Sequence, residues 1–295
     1  MKSAIIIGGG PAGCQCALWL SLLGHETLII ESADRLGGLQ ATSPYPNNWL
    51  IGTMDITGKR FATQMALHIQ TMNIPVLLNS SVTHLDISTK GFIAQIDKIK
   101  IASHYLVIAT GVKARANHLL PTENIIIGPG EKLFSYHFKN KRVAILGGGD
   151  NAAENYALIS LQKPKLCHVY ARTIRARKSL WNKINERDIY HYPYTINQSE
   201  MSILHNNILH QYDVMVVLYG WDANLPTIFL PYKNDLCHES GFIKTNTNCQ
   251  TPLQGVYAIG EIANRMHPCV ATAMADGVVA AKSIQALLDN GDCWI

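Results

Sequence analysis

The sequence predicts an α/β fold with two Rossmann-like, three-layer ββα nucleotide-binding domains, and three observations predict it. Ser3–Glu31 combines a buried apolar strand, a glycine-rich turn, a helix and a second strand that ends in an acid. Arg142–Glu154 repeats the strand, the glycine turn and the start of the helix about 140 residues later. Gly255–Glu261 gives strand, glycine and acid once more, ahead of an Ala-rich helix predicted at Val270–Leu288.

The first glycine turn has the spacing of a dinucleotide-binding loop. The apolar run Ala4–Ile7 is short enough for a buried parallel strand, and Pro11–Gly24 is predicted to be the following helix. Gly8 permits the tight turn, Gly10 lets the backbone approach a pyrophosphate, and Gly13 lets the helix lie close to the strand. The alternative is a glycine-rich turn without a ligand.

The second strand ends at an acid, as a ribose site requires. Glu31 follows the apolar residues of this strand, eighteen positions after Gly13. A carboxylate at this place accepts hydrogen bonds from ribose hydroxyl groups. The pair Gly37 and Gly38 comes next and lets the backbone approach a bulky planar ligand. Together these features favour a dinucleotide site over a turn without a ligand.

The segments that follow predict a loop, a helix and a β-meander. Ala41–Gly52 is irregular, and Thr57–Asn73 has one apolar stripe at helical spacing. Short strands are predicted at Val76–Leu78, Val82–Ile87, Phe92–Ile96 and Lys100–Ile108. The last of them runs into Ala109-Thr110-Gly111, a small-residue turn where the chain can cross to another domain.

The second glycine turn differs from the first at its far end. Gly147 and Gly149 repeat the pattern, but the next predicted strand, Leu166–Ala171, is not closed by an acid. Basic residues follow instead, at Arg172, Arg175 and Arg177. Arginines at this place favour a ribose 2′-phosphate, so we expect NADPH rather than NADH. The alternative is a solvated basic helix start. Two such fingerprints in one chain imply two cofactors and electron transfer between them.

Composition bounds the function. The chain has 295 residues, 47% of them apolar, which is enough for two domains. No apolar stretch reaches the roughly 18 residues of a membrane span, and no cleavable leader is expected. Seven scattered cysteines suit a reducing cytoplasm. The segment from Lys113 to Arg187 contains fourteen Lys and Arg residues but only five Asp and Glu residues. This positive charge favours an anionic cofactor there. The sequence contains neither zinc-ligand spacing nor a basic tract interleaved with aromatic residues, so no metal or nucleic-acid partner is expected.

In these motifs the chain resembles the low-molecular-weight thioredoxin reductase family of pyridine-nucleotide flavoproteins. The resemblance covers nearly the whole length and includes Asn48-Trp49 and Ile56-Thr-Gly58 besides the glycine motifs. It implies an FAD domain formed by residues 1–115 and 240–295, an NADPH domain formed by residues 116–239, and a homodimer. It also implies that the FAD domain and the NADPH domain rotate relative to each other, as in other members of that family.

The matching positions imply the cofactor-binding residues. For FAD they are Gly8, Gly10, Pro11, Ala12, Gly13, Glu31, Ser32, Gly38, Leu39, Gln40, Asn48, Val82, Ala109, Thr110, Gly111, Gly260, Glu261, Cys269, Val270, Ala271 and Trp294. For NADPH they are Gly147, Gly149, Asp150, Asn151, Ala152, Glu154, Arg172, Arg175 and Arg177. No side chain is assigned a catalytic role, and no metal ligand is expected.

The chain departs from the family at several positions, and the first departure concerns the electron acceptor. Thioredoxin reductases carry a Cys-x-x-Cys pair before the second glycine motif, and this chain has no such pair. A dithiol relay needs two nearby thiols, so reduction of thioredoxin by the family mechanism is not expected. Glu261 stands where the family usually has Asp, and Pro268-Cys269 replaces Arg-Gln. The cysteine-free arrangement is similar to thioredoxin-reductase-like ferredoxin–NADP reductases.

We therefore expect an FAD-dependent oxidoreductase that passes electrons between NADPH and an unidentified acceptor, a small molecule or a small redox protein, through flavin alone. The alternative is a flavin- or nucleotide-binding regulatory protein without turnover. The sequence leaves open whether Cys14 or Cys269 is redox-active. Trp294 is expected to stack on the isoalloxazine; a hydrophobic plug in a dimer interface is the alternative.

Overall fold

The computed structural model describes residues 1–88, 91–265 and 267–290 of the chain, which divides into two compact units. Unit 1 comprises Met1–Val112 and Ala223–Ile295, and unit 2 comprises Lys113–Asp222. The first division lies close to the domain limit expected at residue 115. The second comes earlier than the limit expected at residue 240, so residues 223–239 belong to unit 1.

The strands of the described residues are β1 (Lys2–Ile7), β2 (Thr27–Ile30), β3 (Val76–Leu77), β4 (His84–Ser88), β5 (Gly91–Ile96), β6 (Ile99–Ile108), β7 (Val112–Ala114), β8 (Ile125–Ile127), β9 (Arg142–Leu146), β10 (Leu166–Ala171), β11 (Ile189–His191), β12 (Tyr194–Asn197), β13 (Ser202–His205), β14 (Ile208–Gln211), β15 (Val214–Val217), β16 (Trp221–Ala223) and β17 (Val256–Ala258). The α-helices are α1 (Pro11–Leu22), α2 (Gly58–Thr71), α3 (Glu131–Ser135), α4 (Asp150–Leu161), α5 (Lys178–Trp181), α6 (Lys233–Leu236) and α7 (Val270–Asp289). In the described ranges, no helix has the length and apolar character to cross a bilayer.

Unit 1 is built on a mixed sheet which, within the described ranges, has the order β3-β2-β1-β6-β5-β4, with β17 paired to β6. β1 pairs in parallel with β2 and β6, while β4, β5 and the first half of β6 form an antiparallel meander. β6 is ten residues long, so residues 99–103 pair with β5 and residues 106–108 pair with β17. Three of the four strands predicted as a meander therefore form one, and its last strand is shared with the parallel sheet. The prediction was wrong for Val76–Leu77, which pairs in parallel with β2 at the other end of the sheet.

The two faces of this sheet bury separate cores because side chains alternate along each strand. Ile6 of β1 joins the core under α1 and α7, whereas Ile5 joins the core on the opposite face. Phe229 and Leu236 belong to this second core, and both are completely buried. Their burial places residues 223–239 in unit 1, because removing such side chains from the core would cost several kcal/mol.

Unit 2 has three layers. Among its described strands, a parallel sheet runs in the order β11-β10-β9-β15-β8, and β12, β13 and β14 form an antiparallel sheet. Val143 and Ile145 of β9 pack beneath α4, whereas Ala144 and Leu146 face the side that contains Ile203 of β13. The α/β fold class with parallel sheets in two Rossmann-like domains is confirmed. The antiparallel sheet of unit 2 is an addition that the sequence analysis did not assign to any residues.

A cluster of histidine and tyrosine side chains joins the parallel and antiparallel sheets of unit 2. The ring of Tyr190 has its centroid 4.7 Å from that of His168, 5.1 Å from that of His210 and 5.3 Å from that of His205. His168 Nδ1 lies 2.8 Å from the hydroxyl of Tyr212. Burial lowers the pKa of His168 and of His210, so the folded protein favours both imidazoles in the neutral form.

These two histidines should make the protein less stable in acid. Their pKa values in the folded state lie below the ordinary 6.5, so an unfolded chain takes up protons that the folded chain resists. Their contribution is complete above about pH 6.5 and is lost progressively as the pH falls below that value. We expect the melting temperature to drop between pH 7 and pH 5, and to drop less in His168→Gln/His210→Gln. An equal drop in both proteins, measured by circular dichroism, would contradict this assignment.

Candidate functional site

A cavity of about 700 Å³ lies in unit 1, within the size range of cofactor sites, roughly 300–1,000 Å³. The segments that form its wall are far apart in sequence: the glycine turn before α1, the end of β2, the glycine pair, the end of β6 and the start of α7. The predicted residues that line it are Gly8, Gly10, Pro11, Ala12, Glu31, Ser32, Gly38, Leu39, Gln40, Val82, Ala109, Thr110, Gly111, Gly260, Glu261, Cys269, Val270 and Ala271. The fold thus brings these segments to one place.

Three of the four glycines of the first turn, Gly8, Gly10 and Gly13, have different surroundings. A Cβ atom at Gly8 would lie 2.4 Å from the carbonyl oxygen of Ala109, and one at Gly13 would lie 2.0 Å from the carbonyl oxygen of Gly8. Both glycines are required for close packing, as predicted for Gly13. A Cβ atom at Gly10 would meet only the Cα atom of Gly38, at 3.9 Å. Gly10 lines the cavity, so its missing side chain leaves space for a ligand.

Glu31 holds the glycine turn and keeps acceptor capacity toward the cavity. Its Oε2 accepts a hydrogen bond from the N–H of Gly9 at 2.7 Å, and its Oε1 accepts one from the N–H of Ala33 at 2.8 Å. A carboxylate offers about four acceptor positions, and the hydroxyl of Ser32 uses another at 3.2 Å. About one position remains, which suits a ligand that brings a hydroxyl group.

Thr110 supplies an unpaired polar atom at the same cavity. Its Oγ1 is buried and has no hydrogen-bond partner among the described residues. Buried hydroxyl groups are nearly always paired, because an unmade hydrogen bond costs about 1–3 kcal/mol. A polar ligand in the cavity would provide the missing partner.

Small residues bring α1 and α7 together, so that both helices begin at the cavity. A Cβ atom at Gly277 would lie 2.6 Å from the carbonyl oxygen of Ala12. The carboxylate of Asp276, next to it, accepts a hydrogen bond from the N–H of Gly260 at 3.1 Å and forms an ion pair with Arg265 at 2.9 Å. The helix contact therefore also holds Gly260 in the cavity wall.

The cavity wall differs from the predicted set of residues: one predicted residue does not line it, and several polar residues that were not predicted do. Asn48 does not line the cavity: its side chain is exposed and accepts a hydrogen bond from the N–H of Asp55. The neighbouring Asn47 lines it and donates to Oε1 of Gln40 at 2.7 Å. The other polar additions are Ser80, Ser81, Asn224 and Thr227. Asn224 and Thr227 lie in the segment that the sequence analysis placed in the NADPH domain. Their position in the cavity wall became visible only because the structure places residues 223–239 in unit 1.

The structure describes one of the two tryptophans named in the sequence analysis. Trp49 lines the cavity and is 86% exposed, so it is not part of the hydrophobic core. Trp294, expected over the flavin, lies outside the described residues.

The cysteines near the cavity differ in reactivity. Cys14 donates its S–H to the carbonyl oxygen of Gly9, and burial raises the pKa of its thiol to about 12. Cys16 is likewise buried, and burial raises its pKa as well. Cys269 is exposed at the start of α7, where the side chain of Thr272 and backbone N–H groups lower the pKa of its thiol. Cys269 alone of the six described cysteines combines exposure with a lowered pKa.

We expect iodoacetamide to alkylate Cys269 first among the described cysteines, because thiolate and exposure both favour reaction. Its rate should rise at a lower pH than that of a free cysteine. Peptide mapping by mass spectrometry reads out the site, and Cys269→Ser serves as the control. Faster labelling of Cys14, Cys16, Cys167, Cys237 or Cys249 in the native protein would contradict this prediction.

In unit 2 the second glycine turn also combines glycines that are required for packing with one that leaves space for a ligand. A Cβ atom at Gly147 would lie 2.4 Å from the carbonyl oxygen of Leu218, and one at Gly148 would lie 2.1 Å from that of Thr173. At Gly149 a Cβ atom would meet nothing within 4 Å. Ala152 is completely buried against the sheet. Gly149 is therefore the position where backbone and ligand can approach, at the N-terminus of the twelve-residue α4.

The arginines after β10 do not share one environment. Arg172 and Arg175 are exposed, whereas Arg177 forms an ion pair with Asp150, with Nε 2.8 Å from Oδ2. Arg177 Nη2 also lies 3.5 Å from Oε1 of Glu154. Asp150 and Glu154 were themselves expected to bind the cofactor. Arg177 is exposed like Arg172 and Arg175, but it has carboxylate partners, whereas no ion pair within the described ranges involves Arg172 or Arg175. Asn151 lies in the first turn of α4, where its carbonyl oxygen accepts a hydrogen bond from the side chain of Asn155.

Comparison with known proteins agrees with this architecture. Residues 2–277 match the family described as pyridine nucleotide-disulphide oxidoreductase. A ferredoxin–NADP reductase of Ligilactobacillus salivarius is 29% identical over 284 residues, covering 88% of this chain and 83% of that protein. A thioredoxin reductase of Escherichia coli O157:H7 is 24% identical over 314 residues, covering 97% and 96%. The crystal structure of Lactococcus lactis thioredoxin reductase has a TM-score of 0.84 at 19% identity, covering 98% of this chain and 100% of that one.

The family match includes both glycine turns and most of the cavity wall, and the likeness in structure extends over nearly the whole chain. The chain belongs to the pyridine nucleotide-disulphide oxidoreductase family and has the thioredoxin-reductase-like fold.

Proposed function

We propose that this protein is an NADPH-linked flavoprotein oxidoreductase that passes electrons to its acceptor through FAD, without a redox disulfide. The observation that carries the proposal is the cavity of about 700 Å³, whose wall combines the glycine turn, Glu31 and the start of α7. Family membership and the similarity to a ferredoxin–NADP reductase support it.

The cavity residues fit FAD in three respects. Gly10 leaves room at the N-terminus of α1, where N–H groups favour a pyrophosphate. Glu31 retains acceptor capacity for a ribose hydroxyl, and the unpaired Oγ1 of Thr110 suits a polar group of the ligand. When bound, the flavin supplies hydride acceptance from a nicotinamide and onward electron transfer. The chain itself binds and orients the cofactors.

The cysteines support transfer without a dithiol. Cys14 and Cys16 are buried with raised pKa values, which disfavour the thiolate that exchange requires. Cys269 is exposed, but no Cys-x-x-Cys pair exists in the sequence. The acceptor is then a small molecule or a small redox protein. A one-electron carrier is favoured because the relative from Ligilactobacillus salivarius is a ferredoxin–NADP reductase. The six described free thiols agree with a cytoplasmic location, and the family resemblance favours a homodimer.

Anaerobic mixing tests the proposal. The protein is reconstituted with FAD and mixed with NADPH or NADH under argon, while the absorbance of the oxidised flavin is followed. We expect bound flavin to bleach within seconds with NADPH and more slowly with NADH. Cys269→Ser should bleach at the same rate, because no thiol is needed. Protein that binds no FAD would overturn the proposal, and bound flavin that NADPH fails to bleach over many minutes would indicate a binding protein without turnover.

A further inference from the structure

A buried carboxylate in α7 connects three segments beside the cavity of unit 1. Asp276 lies in the second turn of α7 and is only 8% exposed. Its Oδ2 accepts a hydrogen bond from the N–H of Gly260 at 3.1 Å, and its Oδ1 accepts one from Nη1 of Arg265 at 2.9 Å. A charge inside a protein is costly unless it is paired and hydrogen-bonded. Both contacts therefore stabilise Asp276 in its buried position.

The turn at Gly260 is held by this carboxylate. Gly260 has a φ of +72°, a left-handed conformation that favours glycine, and a Cβ atom there would lie 3.0 Å from the Cβ atom of Ala12. Its N–H donates to Asp276, while its carbonyl oxygen accepts a hydrogen bond from the N–H of Ala263 at 3.1 Å. Asp276 thus attaches the turn to α7, the helix that begins at the cavity.

The residue after this turn, Glu261, lines the cavity. Within the described ranges its side chain makes no hydrogen bond, and burial raises the pKa of its carboxyl group. Because no side-chain contact orients Glu261, its direction follows from the backbone of the turn at Gly260. A displaced turn would move this acceptor away from the cavity segments that α1 and α7 position.

Arg265 provides the counter-charge for Asp276 and contacts a third segment. Its Nη1 lies 2.7 Å from Sγ of Cys249, and this sulfur lies 3.8 Å from the carbonyl oxygen of Asp276. Cys249 is completely buried, and burial raises the pKa of its thiol to about 11, so the thiol is neutral. Burial also raises the pKa of Asp276, whereas the charge of Arg265 lowers it. The guanidinium therefore favours the carboxylate form.

The elements packed against this part of α7 bring titratable groups that are neutral near pH 7. Burial raises the pKa of each of them; they are Cys14 and Cys16 of α1 and Tyr257 of β17. Among the described residues, Arg265 is therefore the cation that compensates the charge of Asp276.

We propose that Asp276 is a positioning residue for FAD: through the N–H of Gly260 it fixes the direction of Glu261 toward the cavity, and Arg265 supplies its counter-charge. The proposal rests on the proposed function, because it assumes that FAD binds in this cavity. A turn that is already fixed before FAD arrives saves the cost of ordering it on binding. Asp276 thus contributes to affinity without contacting the cofactor.

Equilibrium titration of the full-length, FAD-free chain with FAD at pH 8 tests this role, with flavin fluorescence as the signal. Asp276→Asn should weaken FAD binding by about fivefold to tenfold, because a neutral amide forms a weaker hydrogen bond with Gly260 than a carboxylate does. Glu261→Ala should also weaken FAD binding. In the Glu261→Ala background, Asp276→Asn should cost at most about twofold, since two residues that act through one contact are not additive.

Asp213 of unit 2 offers a matched control. Its carboxylate likewise accepts hydrogen bonds from a backbone N–H and a guanidinium, both of Arg142, at 2.7 and 2.8 Å. Asp213→Asn should leave the affinity for FAD unchanged. Far-UV circular dichroism checks that each variant is folded.

The pH profile of FAD binding separates positioning from a purely structural role. In Arg265→Met the pKa of Asp276 should rise further, so the carboxylate takes up its proton at a higher pH. Affinity should then fall by about fivefold between pH 8 and pH 6 in Arg265→Met, but little in the wild type. Asp276→Asn/Arg265→Met should show no such fall. Glu261 is present in all three proteins, so the comparison cancels its own titration.

Three results would overturn the role of Asp276. They are wild-type affinity in Asp276→Asn, an equal loss from Asp276→Asn with and without Glu261, and a wild-type pH profile in Arg265→Met. Wild-type protein that binds no FAD would instead overturn the proposed function.

Discussion

Replacing Gly10 with valine is expected to give a folded protein that no longer binds FAD. The backbone of Gly10 is extended, with φ −73° and ψ −177°, a conformation that valine adopts readily. Its Cβ atom would contact the protein only at Gly38, so the added methyl groups enter the cavity at the start of α1. We expect affinity for FAD to fall by about a hundredfold or more, since the pyrophosphate could no longer approach the backbone.

Flavin absorbance after reconstitution and desalting measures this loss, and far-UV circular dichroism checks the fold. Gly13→Ala is the contrasting variant, because its Cβ atom would lie 2.0 Å from the carbonyl oxygen of Gly8. That clash lies inside the protein, so Gly13→Ala should lower the melting temperature. A Gly10→Val protein with a full complement of FAD would show that the pyrophosphate does not lie at this turn.

Replacing Gly149 with valine is expected to leave FAD bound but to prevent its reduction by NADPH. Gly149 is also extended, with φ −100° and ψ 179°, and its Cβ atom would meet nothing within 4 Å. The side chain would occupy the open space at the N-terminus of α4 while the packing at Gly147 and Gly148 stays intact. We expect the bleaching rate at low NADPH to fall by about a hundredfold.

Dithionite provides the control, because it should reduce the flavin of Gly149→Val as fully as that of the wild type. Gly10→Val and Gly149→Val also act as controls for each other, since each should remove one cofactor only. Bleaching of Gly149→Val by NADPH at the wild-type rate would contradict a nucleotide site at the second glycine turn.

Most strands and helices around the glycine turns follow from local sequence. β10 has the predicted bounds, Leu166–Ala171, and α1 and α7 begin at the predicted residues, Pro11 and Val270. Apolar runs, glycines and an early proline act over a few residues, so they specify such elements without reference to the rest of the chain.

Side-chain assignments were less predictable where two candidates lie close together. Asn47 and Asn48 are adjacent and chemically identical, and only the fold of the loop turns Asn47 to the cavity. Arg172, Arg175 and Arg177 have the same charge in sequence. Arg177 differs only because α4 brings Asp150 and Glu154 within reach of it.

The sequence by itself determined that the chain contains two glycine turns, each between a buried strand and a helix, and that it contains no Cys-x-x-Cys pair. The tertiary structure decided where residues 223–239 belong, because the burial of Phe229 and Leu236 depends on a core formed by distant strands. It also decided which arginine has acidic partners and which cysteine is exposed. Such properties depend on contacts between segments far apart in the chain, and local sequence patterns do not encode them.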